Sequence, residues 1–280
     1  MTDNRYVVVT GASRGIGRAT ALLLDKKGFG VIAGVRQVED GLALQREASS
    51  RLKVVQLDIT NQQQVEECAY QLRQLVGEKG LAGLVNNAGV AVAAPLEFIP
   101  LDELRHQLEV NLVGHLALTQ ALMPCLRQAR GRIVNISSIG GRLAGGMIGA
   151  YHASKFALEA VCDTLRVELK PWGIEVISIE PGAIATPIWE TSQATADKLL
   201  ERMPSQVSEL YAGPIARTRA SAVNAAREGL APERVAEVIE RALTTTRPRT
   251  RYLVGRDAWF AGNIIARLPD RLRDRLLAAR

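Results

Sequence analysis

Tyr151 and Lys155 stand four residues apart in a stretch of helical composition, Tyr151 to Lys170, so their side chains share one helix face. A phenol beside an ammonium is suited to acid–base work. Taking a proton from an alcohol near neutral pH asks a phenol of ordinary pKa about 10 to act as base, which means lowering it by roughly three units, or about 4 kcal/mol. A neighbouring cation favours the phenolate and is the expected means. Ser138 directly follows an apolar run, Gly131 to Ile136, and its hydroxyl can hydrogen-bond a carbonyl or alcohol oxygen as charge develops there. Asn111 falls mid-helix among Val110, Leu112 and Val113, where an amide is poorly favoured, and so points to a specific task. His152 lies about 100° around the helix from Tyr151 and is read as structural.

Such groups must be brought together by an ordered scaffold, and the chain alternates short Val- and Ile-rich runs with longer segments of helical period. The runs are Tyr6 to Thr10, Gly30 to Val35, Lys53 to Leu57, Leu81 to Val85, Gly131 to Ile136, Ile174 to Ile179 and Arg251 to Val254. They are continuously apolar, as strands buried on both faces are. The expectation is an α/β, doubly wound Rossmann fold: a seven-stranded parallel sheet with helices on both faces. Ligands of such sheets bind beyond the strands' carboxyl ends. Those ends carry Gly11 to Gly17, Arg36, Asp58, Asn86 to Gly89, Ser137 to Ser138 and Pro181 to Thr186.

The turn Gly11-Ala12-Ser13-Arg14-Gly15-Ile16-Gly17 follows the first strand and opens a helix, so backbone N–H groups can approach a pyrophosphate. Its spacing is not G-x-G-x-x-G, and no Gly-Lys-Ser/Thr follows, which disfavours a nucleoside triphosphate. A dinucleotide site that takes an unphosphorylated ribose usually offers an acid at the end of the second strand. Here that strand ends in Arg36, and Arg14 supplies a second guanidinium, a pair suited to a 2′-phosphate. NADP(H) is expected over NAD(H), with Glu39 and Asp40 as the groups that would favour the other cofactor.

Taken together, the glycine turn with its preceding Thr10, Asn86-Asn87-Ala88-Gly89, Ser138, Tyr151-His-Ala-Ser-Lys155, and Pro181-Gly182 followed by Thr186 resemble the short-chain dehydrogenase/reductase family, in order and over about Tyr6 to Gly255. The resemblance implies that Tyr151 is the acid/base, that Lys155 lowers its pKa and holds the nicotinamide ribose, that Ser138 orients the substrate, and that Asn111 supports a relay water. It further implies that Asp58 contacts the adenine, that Asn86 and Gly89 shape the nicotinamide-side turn, and that Ile184 and Thr186 bind the carboxamide after Pro181-Gly182, with Ile59, Ala88, Pro181 and Gly182 also among the cofactor-binding residues. The phrases Gly80 to Asn87 and Arg249 to Gly255 look most like the retinol and hydroxysteroid dehydrogenase branch. That implies an alcohol/carbonyl oxidoreductase for a steroid, retinoid or long-chain substrate. A 3-oxoacyl thioester reductase is the alternative enzyme, and a non-catalytic NADP(H)-binding redox sensor the alternative of another class.

The remaining features bound the surroundings. The chain has 280 residues, and residues 1–255 are expected to form one Rossmann-fold catalytic domain. Within it, 188–230 is a lid insertion bearing Trp189, Leu199, Leu200, Met203, Leu210 and Tyr211. Residues 256–280 are expected to form an amphipathic helical extension that docks on the body or on another subunit, with a membrane-surface helix as the alternative. A net charge of +6 comes mostly from Arg scattered among acids, so nucleic acid is not an expected partner. No leader or membrane-spanning stretch is legible, and a cytoplasmic protein is expected. Cys68, Cys125 and Cys162 read as free buried thiols, and no metal site is expected. By the resemblance, a homodimer or homotetramer pairs through the long helices at about Asp102 to Gln128 and Tyr151 to Lys170.

Overall fold

A computed structural model describes residues 5–278. Residues 1–4 of the expected domain and 279–280 of the expected extension lie outside the described residues. Seven strands form one sheet: β1 (Tyr6–Thr10), β2 (Gly30–Val35), β3 (Leu52–Gln56), β4 (Gly83–Asn86), β5 (Arg132–Ile136), β6 (Glu175–Pro181) and β7 (Arg251–Val254). Their spatial order is β3-β2-β1-β4-β5-β6-β7, and every pairing is parallel. The helices are α1 (Gly15–Lys26), α2 (Val38–Glu47), α3 (Gln62–Val76), α4 (Leu101–Leu108), α5 (Gly114–Ala129) and α6 (Gly149–Leu169). They continue as α7 (Ile188–Arg202), α8 (Gln206–Leu210), α9 (Ala212–Glu228), α10 (Pro232–Thr244), α11 (Arg256–Asn263) and α12 (Asp270–Ala278).

Successive side chains of a strand point to opposite faces, and the two apolar layers divide accordingly. Val7 and Val9 pack with Leu24 of α1 and Ile239 of α10, whereas Val8 between them packs with Leu72 of α3 and Leu122 of α5. The sheet is thus covered on both sides, which is why its strands read as unbroken apolar runs. The three cysteines are buried and unpaired.

Strand order reverses direction between β1 and β4, leaving a crevice at their carboxyl ends. The crevice is tied shut at its base by side chain and backbone. Thr10 Oγ1 accepts from Asn87 N and Ala88 N, both at 2.9 Å, while Asn87 Nδ2 donates to Thr10 O at 2.8 Å. Ala12 N donates to Gly34 O at 3.0 Å, so the glycine turn is fastened to β2 as well.

Three expectations need adjustment. The helix expected as continuous over Asp102 to Gln128 is α4 and α5 separated by a π turn, Glu109–Val113, that contains Asn111. Asn111 is the buried residue of this wide turn. The expected lid is three helices, α7 to α9, and its apolar stripe splits: Leu199 and Met203 pack with Val92, Ile99 and Ala150, whereas Leu210 is exposed. The extension docks only in part. Ala261 and Ile265 pack on Leu143, while Trp259, Phe260, Leu272 and Leu276 remain exposed.

Gly17 offers a direct test of how the first turn is built. Alanine normally favours a helix over glycine by about 1 kcal/mol. Here a Cβ would stand 2.3 Å from Gly11 O and 2.4 Å from Asn87 Nδ2. Gly17→Ala is therefore expected to lower Tm and weaken dinucleotide binding at least tenfold; a stabilised variant that binds normally would contradict this packing.

Candidate active site

Ser138 begins where β5 ends, in extended conformation, and its hydroxyl accepts from Gly140 N at 3.0 Å to start the turn Ile139–Gly141. The carbonyl of Gly140 is held in turn by His152 Nδ1 at 3.0 Å, which gives that histidine a structural backbone partner. Tyr151 and Lys155 lie one helical turn apart near the start of α6, as their spacing requires. Lys155 Nζ reaches across to donate to Ile136 O at 2.8 Å and lies 5.7 Å from the centroid of the Tyr151 ring, within cation–π range. Ser138, Tyr151 and Lys155 thus converge at the end of β5.

Lys155 is 4% exposed, and burial pushes its ammonium down to about 8 while Cys162 and Glu159 pull it back up. The expected depression of the Tyr151 phenol is not produced by the side chains alone. Burial raises its pKa, opposed by a hydrogen bond from Ser138. Desolvation is the larger effect at the phenol, and Lys155 Nζ, which donates to the Ile136 carbonyl and lies over the ring, does not offset it.

Asn111 is fully buried, and both amide hydrogens are engaged, with Val90 O and Ser154 Oγ, each at 3.0 Å. Its Oδ1 accepts from Val90 N at 2.9 Å. The side chain can therefore offer any relay water only an acceptor. Ser154, which accepts from Asn111, and Thr10, which holds Asn87 and Ala88, stand in the sequence only as members of motifs, with no role of their own. Their signal was position alone: Thr10 closes a strand, and Ser154 precedes Lys155.

The other end of the crevice is a cleft of about 500 Å³ lined by Ser13, Arg14, Arg36, Asp58, Asp40 and Gln64, among others. Neither Arg14 nor Arg36 pairs with a carboxylate among the described residues. Asp58 Oδ1 accepts from Thr60 N and Oγ1, at 2.9 and 2.7 Å, and Asp58 lines the cleft. Between the two ends lies the start of α1, with Gly15 at φ +57° and no side chain capping its leading N–H groups, so that Gly15, Ile16 and Gly17 present donors suited to phosphate. A Cβ on Gly15 would meet Thr186 Cγ2 at 3.2 Å, placing the Pro181 to Thr186 segment over the same turn. Of that segment, Pro181 and Ile184 are buried, and Gly182 leaves room for the Asp257 carboxylate. Ile59 packs under Gly114, and Asn86 donates to Asn135 Oδ1 at 2.8 Å, so both act from beneath the cleft floor. Gly89 stands 3.5 Å, as a would-be Cβ, from Asn111 Oδ1. Phosphate donors, guanidiniums and an acid–base pair in one crevice fit a nicotinamide dinucleotide.

Comparison with known proteins agrees with this geometry. The family model for short chain dehydrogenase matches residues 5–197. The chain is 40% identical to mouse retinol dehydrogenase 5, with 98% of this chain and 88% of that protein covered, and 35% identical to human 17-beta-hydroxysteroid dehydrogenase type 6 over the same shares. A solved short-chain dehydrogenase from Streptomyces avermitilis superposes with a TM-score of 0.79 at 29% identity, covering 98% of this chain and 95% of that one. One from Burkholderia cenocepacia, determined in complex with NADP, superposes with a TM-score of 0.74 at 26% identity and 99% of each chain. This chain belongs to the short-chain dehydrogenase family of oxidoreductases. Within it, the sequence falls with the retinol and hydroxysteroid dehydrogenases. No helix among the described residues is long and apolar enough to cross a membrane.

The buried lysine has a consequence for stability. Unfolded, its pKa returns to about 10.5, above the folded value of about 8. Below pH 8 both states are protonated and the fold carries the whole desolvation cost; between 8 and 10.5 the folded state releases the proton first and that cost disappears. The stability of the wild type relative to Lys155→Met should rise over this window, as chemical denaturation at a series of pH values would measure. A flat difference would refute the shift.

Proposed function

We propose that this chain is an NADP(H)-dependent oxidoreductase that interconverts a secondary or primary alcohol and the matching ketone or aldehyde. The observation that carries the proposal is the convergence of Ser138, Tyr151 and Lys155 in the crevice whose other end bears Arg14 and Arg36. A bound nicotinamide supplies or accepts the hydride. In the reducing direction, Ser138 Oγ holds the substrate carbonyl oxygen, and Tyr151 gives its phenolic proton to that oxygen as the carbonyl carbon becomes an alcohol carbon. Lys155 keeps a positive charge beside the ring as the phenolate forms and, when it carries its proton, restores the phenol by way of water held against the Asn111 turn. Oxidation runs through the same groups in reverse. Burial of Tyr151, which raises its pKa, keeps the proton in place until the substrate oxygen arrives.

The preference for NADP(H) is supported by two guanidiniums in the adenosine-side cleft, where a 2′-phosphate would accept charge-assisted hydrogen bonds from both. Asp40 in the same cleft is the one carboxylate placed to favour an unphosphorylated ribose there besides Asp58. The substrate reading, a steroid, retinoid or long-chain carbonyl, is supported by the apolar cluster of Val92, Ile99, Leu199 and Met203 beside Ala150, the residue before Tyr151. The names of the retinol and hydroxysteroid dehydrogenase relatives point the same way.

Tyr151→Phe should lower turnover at least a thousandfold while cofactor affinity, read by NADPH fluorescence, stays within about threefold; near-native turnover would defeat the assignment. Arg36→Asp should cut kcat/KM with NADPH by about 10- to 100-fold and spare NADH, and a wild type that prefers NADH would refute the cofactor reading. A panel of steroids and retinoids against acetoacetyl thioesters and sugars tests the substrate class, with highest efficiency expected on the first two.

A further inference from the structure

The segment Ala88–Val92 runs from the turn after β4 toward the wall of the apolar cluster, and it has no strand partner. Its inward backbone groups nevertheless need hydrogen bonds. They receive them from one helical face. His115 Nε2 lies 2.6 Å from Ala88 O, Asn111 brackets Val90 through both its N and its O, and Gln107 donates to Val90 O at 2.6 Å and accepts from Val92 N at 2.9 Å. Gln107, Asn111 and His115 are spaced by four residues across the π turn, and none is more than 1% exposed. They meet alternate residues, 88, 90 and 92, which is the period of an extended chain.

We propose that Gln107 and His115 are positioning residues of the reaction: with Asn111 they form a three-rung polar ladder that fixes the nicotinamide-side turn at one end and the first wall of the substrate pocket at the other. The inference rests on the functional reading above and adds two residues to it. His115 acts as a neutral donor. Ala88 O can only accept, so Nε2 carries the proton, and burial, reinforced by the charge of Lys155, holds the ring's pKa down at about 3. The preceding peptide is held as well, because Ala88 N donates to Thr10 Oγ1 at 2.9 Å. Releasing the carbonyl frees the Ala88–Gly89 peptide to tip toward the cofactor crevice, with only its N-terminal neighbour still held. Gln107 controls the other end, since Val92 is the point at which the segment enters the apolar cluster with Ile99 and Leu199.

The two ends give separable signatures in the full-length enzyme with NADPH and a carbonyl substrate. His115→Asn, whose amide falls short of Ala88 O, is expected to raise the KM for the dinucleotide about tenfold, the effect of one lost buried hydrogen bond, with the carbonyl KM within about twofold. His115→Gln, which can place an amide nitrogen where Nε2 stands, should recover the dinucleotide KM to within about threefold. Gln107→Leu should show the reverse split, an approximately tenfold rise in carbonyl KM and little change for the dinucleotide. Melting curves accompany each variant. If the variants melt lower but keep wild-type constants, the ladder is purely structural and the proposal fails. If His115→Gln and His115→Asn lose activity alike with a displaced pH profile, His115 carries protons and the positioning role is wrong. A wild type that binds no dinucleotide overturns the functional reading and this inference with it, whereas an active wild type with indifferent variants overturns this inference alone.

Discussion

Everything in this site depends on a cation kept out of water. Lys155 is buried against the end of β5, anchored on the Ile136 carbonyl and stacked over the Tyr151 ring. Burying an ammonium is costly unless hydrogen bonds compensate it, and here one backbone carbonyl does so directly. The cost is visible in the lowered pKa of the amine, and the fold tolerates it because two dense apolar layers hold the sheet on which the lysine rests. A stable sheet finances an unstable centre, and the same low-dielectric surroundings that penalise the charge also make it effective on the neighbouring phenol once that phenol ionises.

The rest of the crevice answers to that centre through charge and hydrogen bonding rather than apolar contact. A second buried network ties the loop after Ser138 to the sheet: Arg142 pairs with both oxygens of the fully buried Glu180, and Arg251 joins Glu180 to Glu159 on the helix that bears Tyr151. The Ser138 turn and α6 are thereby referred to one strand. Removing one partner would leave an uncompensated buried charge. At the switch point, Thr10 and Asn87 perform the same service for the glycine turn.

What the amino-acid sequence determined by itself was the periodicity and the motif set. Strands buried on both faces must be continuously apolar, so all seven could be placed to within about two residues, and a four-residue spacing on a helix must set Tyr151 and Lys155 on one face. Arg36 at the end of β2 was legible for the same reason, because the end of a parallel strand is a known place in space. Tertiary structure alone decided the direction of the Tyr151 shift, the π turn at Asn111, the ladder from Gln107 to His115 and the split faces of the lid and tail. Each of these depends on what lies across a gap between segments distant in sequence. Local spacing fixes which way a side chain faces, but burial, dielectric and the partner of a buried polar group are properties of the assembled neighbourhood.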